Sequence, residues 1–148
     1  ASASTLIHGI APSQIAAGQD AAEALLAFME FVGDSPLLAY HARFDQHMLF
    51  RALQDSLGYR LQHCFIDVAE LAPLLCPQAE LRHPGLDDWV RHFGLQVEQR
   101  HHASADALVT AELALILFSH AHRQDLTRLA ALAQRLTNWR RQRQAMGL

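Results

Sequence analysis

The sequence predicts an α/β class with parallel strands, and three observations carry that prediction. Two short apolar runs, residues 37–40 and 64–66, are bounded by turn or polar residues in the manner of buried strands. Each is followed by a segment with helical apolar spacing. The resulting order of strand, helix, strand, helix joins parallel neighbours through a crossover.

The first helix is expected from Asp20. Asp20 and Glu23 form a DxxE variant of the capping box, and Ala22, Leu25, Leu26, Met29 and Val32 recur at helical spacing until Gly33. Asp34, Ser35 and Pro36 turn the chain into the first strand. A second helix is expected over about 43–57, closed by Gly58, and a third over about 68–75, stopping before Pro77. After a polar loop, residues 86–93 read as a short helix ended by Gly94. The long helix over about 103–121 carries only Asp106 and Glu112 as charges and is expected to be buried nearly all round. A last amphipathic helix, about 125–143, places Leu126, Leu129, Ala133 and Leu136 on one face. Two strands are few for a parallel sheet, and upstream only residues 5–7 offer another. The chain therefore reads as the later part of a larger α/β domain.

A length of 148 residues suits one domain with a single core. No uninterrupted apolar run approaches the ~18 residues of a membrane span, and the N-terminus lacks the build of a signal peptide. A cytoplasmic protein with no membrane partner is the expectation. Cys64 and Cys76 lack CxxC spacing and are expected to be free thiols. A formal charge of −3 gives no global basic field, so phosphate binding would rest on local arginines or on metal held by carboxylates.

Two stretches hold acids where the pattern asks for hydrophobes. In LLAYHARFD, Asp45 falls on the helical arc of Met48, Leu49 and Ala52, opposite the arc of Gln46, His47 and Arg51. In RHHASADALVTAEL, Asp106 shares a stripe with Thr110, Leu113 and Leu117. A first-turn acid favoured by the helix dipole is one account of each; a paired or metal-bound carboxylate is the other. His101 lies five residues before Asp106 in the loop entering the helix. With the ordinary histidine pKa of ~6.5, an imidazole there could take a proton from water, whereas His102 has no such argument.

Together these stretches resemble the DEDDh family of 3′-to-5′ exonucleases, which includes proofreading subunits of bacterial replicative DNA polymerases. LLAYHARFD is similar to the family's second motif, and RHHASADALVTAEL to its third, a His followed five residues later by Asp. FIDVAELAPLLCP, GLDDWVRHFGL and LIHGIAPSQI match intervening and preceding segments in the right order, so the resemblance covers about residues 6–117. It implies an RNase H-like exonuclease fold, Mg²⁺ or Mn²⁺ held by Asp45 and Asp106, and His101 as general base. Asp67 matches a position that ends a strand and caps the next helix. Tyr40 and His41 stand where the family usually has His and Asn.

The family's first motif, Asp-x-Glu on the first strand, occurs nowhere in these residues. Two-metal phosphodiester cleavage places its ions roughly 3.5 to 4 Å apart, bridged by shared carboxylates, and two aspartates are too few for it. In the family that motif precedes LIHGI on the strands this sequence lacks. Residues 1–148 are thus expected to be an exonuclease-like domain without its first β-strands, ending in the amphipathic helix. Its expected substrate is a single-stranded nucleic-acid 3′ end and its expected partner a DNA polymerase. The alternative is an inactive exonuclease-like module that binds a polymerase or other partner.

Overall fold

A computed structural model describes residues 21–148. The capping residue Asp20, the candidate strand at 5–7 and the LIHGIAPSQI segment lie outside the described residues. Helix α1, Ala21–Val32, turns Ala24, Leu25 and Phe28 inward. Gly33 ends it at φ 57°, and its N–H donates to Met29 O at 3.0 Å. Strand β1 (Leu37–Ala39), helix α2 (Ala42–Leu57), strand β2 (Phe65–Asp67) and helix α3 (Val68–Leu75) follow. A 3-10 turn at Pro77–Ala79 leads on to helices α4 (Leu86–His92), α5 (Ala103–Arg123) and α6 (Leu129–Ala145).

Strands β1 and β2 pair in parallel, with Leu37 opposite Phe65, Leu38 opposite Ile66 and Ala39 opposite Asp67. The two-residue period of the strands divides the interior. Leu37 and Phe65 face a core made with Leu25, Phe28, Leu49 and Leu53 of α1 and α2. Leu38 and Ile66 face a larger one, with Leu71, Leu75, Trp89, Leu113 and Leu117 of α3, α4 and α5. Helices therefore cover both faces, as a parallel pair requires.

Asp67 ties the strand ends to the helices. Its Oδ1 accepts the Ala69 N–H at 3.0 Å, capping α3, and the His41 N–H at 2.8 Å, where the chain enters α2 at φ 64°. Asp67→Ala removes the acceptor of both bonds and is expected to cost ~1 to 2 kcal/mol, the usual worth of a cap. Asp67→Asn keeps an oxygen there and should cost less. Thermal unfolding of the two variants measures the difference.

Three expectations need correction. Helix α5 is not buried all round: Leu108 and Leu115 are 62% and 69% exposed, while Val109, Leu113 and Leu117 are buried. Scarcity of charge is a poor guide to burial because much protein surface is apolar. By length and hydropathy α5 could also cross a membrane, despite its interrupting Asp106 and Glu112. Its packing against α3 and α4 through a face that includes buried Asp106 and Thr110 is that of a core helix. Helix α6 starts at Leu129 rather than near 125, because Asp125 adopts φ 61° in the preceding turn. Its buried residues are Leu132 and Leu136, while Leu129 is 43% exposed. Both cysteines are free, as expected, with Cys76 buried and Cys64 exposed.

Candidate active site

The left-handed turn at His41 starts α2 at Ala42 and leaves Asp45 in its first turn. The 3.6-residue period then points Asp45 inward with Leu49. Asp45 is 0% exposed, and among the described residues neither carboxylate oxygen has a hydrogen-bond partner. Desolvation, aided by the nearby Asp67 carboxylate, lifts its pKa to about 7, although its own backbone amide pulls the other way. An acid placed only to complement a helix dipole would be solvated. A buried carboxylate with two orphan oxygens is costly and stays protonated near neutrality unless a cation joins it.

Asp106 begins the buried stripe of α5 and is 5% exposed. Its Oδ1 accepts the His101 backbone N–H at 3.0 Å and pairs with Arg100 Nη1 at 2.7 Å. Arg100 also donates from Nε to Asp87 Oδ1 on α4, at 2.6 Å. The guanidinium thereby joins α4, the connecting loop and the start of α5. His101 takes φ 77° in this loop, and its side chain and that of His102 are exposed. One turn further along α5, the buried Thr110 Oγ1 also lacks a hydrogen-bond partner among the described residues.

Asp45 is set beside Asp67, and Asp106 beside His101 and Arg100. Among the described residues no three His, Cys, Asp or Glu side chains gather where a metal ion could bind. Asp45 fits a cation ligand by its orphan oxygens. Asp106 is already neutralised by Arg100, so the described residues do not make up a metal centre by themselves. Tyr40 is buried and its hydroxyl donates to Pro84 O at 3.2 Å, so this unusual residue packs and anchors the loop before α4. Burial and the charges of Asp67 and Asp88 raise its pKa. Sequence reasoning missed Arg100 and Asp87, although an arginine directly before the His pair was the available signal.

An interior acid at each of two helix starts, with a histidine on the loop before one of them, suits hydrolytic chemistry on an α/β scaffold. Comparison gives the class: the exonuclease family matches residues 1–114, and the chain belongs to that family. Among its relatives is a PolC-type DNA polymerase III of Clostridium perfringens, 38% identical over 91 residues, 62% of this chain and 6% of that protein. The PolC-type DNA polymerase III of Thermotoga maritima is 30% identical over 129 residues, 87% of this chain and 9% of the relative. That of Oceanobacillus iheyensis is 30% identical over 107 residues, 72% of this chain and 7% of the relative. The chain spans less than a tenth of the length of these relatives. No solved structure matches it significantly.

Proposed function

We propose that residues 1–148 contribute most of a 3′-to-5′ exonuclease domain of RNase H-like fold, followed by the accessory helix α6. Its substrate is a single-stranded nucleic-acid 3′ end. The domain acts within or beside a bacterial DNA polymerase in the cytoplasm, a reading drawn from the names of its relatives. The observation that carries it is Asp45, fully buried with both oxygens unsatisfied among the described residues. Asp45 and Asp106 are the carboxylates that would hold Mg²⁺ or Mn²⁺, with Arg100 released from Asp106. When bound, the ions would supply charge stabilisation and water activation. His101 takes the proton of the attacking water.

One observation favours a second reading, an inactive exonuclease-like interaction module: the Arg100 guanidinium already satisfies Asp106. Release of nucleotides from a 3′-labelled single strand separates the two. The chain of 148 residues alone is expected to show no appreciable Mg²⁺-dependent release, because it contains no Asp-x-Glu. A polypeptide extended upstream through such a motif should digest the strand and stop when a chelator is added. Robust chelator-sensitive digestion by the 148 residues alone would mean that the metal site is built differently. An inert extended protein would leave the interaction module.

A further inference from the structure

Helix α6 lies wholly beyond the family match, which ends at residue 114. Its C-terminal half nevertheless has a fixed place. Arg140 donates from Nε and Nη2 to the two carboxylate oxygens of Glu70 on α3, at 2.9 and 2.6 Å. A groove of about 540 Å³ remains between this half of α6 and the first turn of α2. That volume falls in the ~300 to 1,000 Å³ range of small-molecule sites.

The charges of the groove are unevenly spent. Glu70 is neutralised by Arg140, and Asp67 Oδ1 is used by two backbone N–H groups. Among the described residues, neither Arg43 on the α2 side nor Arg143 on the α6 side forms an ion pair. The Arg143 guanidinium lies 4.6 Å from the Trp139 ring centroid, which gives one wall an aromatic face with a cation on it. Gln46 and Gln144 add amide donors and acceptors.

A second cavity, of about 690 Å³, shares Arg43, Gln46 and Asp67 with the first and continues along α2 past Phe44 and His47. Phe44 is 53% exposed. The two cavities thus share Arg43, with Trp139 and Arg143 in the first and Phe44 in the second. Guanidinium groups beside an exposed aromatic plane suit the phosphates and bases of a flexible strand. The chain carries a net charge of −3, so such binding depends on this local arrangement and not on a general field.

We propose that the α2–α6 groove binds a single-stranded oligonucleotide, with Phe44 stacking a base, Arg43 and Arg143 contacting phosphates, and Trp139 holding the Arg143 guanidinium in place. The choice of a single strand rests on the exonuclease reading, but binding here needs neither metal nor hydrolysis.

Fluorescence anisotropy of a labelled oligothymidylate of about ten nucleotides, titrated with the whole chain in chelator at ~50 mM salt, tests it. Arg43→Gln and Arg143→Gln should each weaken binding ~5-fold or more, whereas Arg141→Gln, on the same helix but outside the groove, should change it less than ~2-fold. Trp139→Ala, which removes the ring that the Arg143 guanidinium rests on, should weaken binding ~2-fold or more. Phe44→Ala, at a half-exposed position that does not endanger folding, should also weaken it. Equal losses for Arg141→Gln and Arg143→Gln would overturn the groove, as would failure of the unmodified chain to bind. If an extended, nuclease-active protein binds the strand equally well in all these variants, the groove is wrong and the exonuclease reading stands. If the groove variants lose binding but the extended protein releases no nucleotides, the reverse holds.

Discussion

Replacing Asp45 by Asn is expected to stabilise the metal-free protein by about 4 kcal/mol at pH 8, relative to the difference between the two proteins at pH 4. The sign follows from a carboxyl whose folded pKa is raised to about 7 above the ordinary ~3.9. Between those values the folded state holds a proton that the unfolded chain releases, so stability falls as pH rises, by ~1.4 kcal/mol per pH unit. Below ~4 and above about 7 the contribution is flat. Asn has nothing to ionise at this position, so the difference between variant and wild type isolates Asp45 from every other titrating group. Urea unfolding of both proteins in chelator at pH 4, 6 and 8 measures it. A difference that does not change with pH would mean that the Asp45 charge is already compensated. If Asp45 is a metal ligand, saturating Mg²⁺ should narrow the gap at pH 8, because binding to the folded state alone stabilises it.

What the sequence disclosed depended on how local the governing physics was. The burial of Asp45 was legible because a helix fixes which residues share a face, and Met48, Leu49 and Ala52 marked that face. Asp106 was legible in the same way through Leu113 and Leu117. The strand pair and its parallel sense followed from the order of elements. The sidedness of α5 did not, since Leu108 and Leu115 look the same in sequence whether a neighbouring element covers them or water does. The late start of α6 was hidden because Asp125 enters the left-handed region without a Gly or Asn to announce it. The partner of Asp106 was the deepest omission. Its ion pair depends on α4 bringing Asp87 beside the loop that carries Arg100, and that is a tertiary fact.

His101→Ala is expected to lower turnover by ~10² to 10⁴ in an extended, active protein, the usual worth of general acid–base catalysis, while metal-dependent substrate binding is retained. The loop itself should survive the change, because the bond that holds it to Asp106 comes from the His101 backbone N–H and not from the imidazole. If Asp106 is a metal ligand, Asp106→Asn should lower metal binding and rate together, since it removes that charge and also the anion that Arg100 pairs with. His102→Ala is the internal comparison: its side chain is exposed and makes no cap to α5, so the change should cost little. The acid limb of the pH–rate profile should disappear in the His101 variant and persist in the His102 variant. Single-turnover rates on one single-stranded substrate decide among them. If His102 proves essential and His101 dispensable, the histidine of the third motif has been assigned one residue too early, and the base acts from the N-cap of α5 rather than from the loop before it.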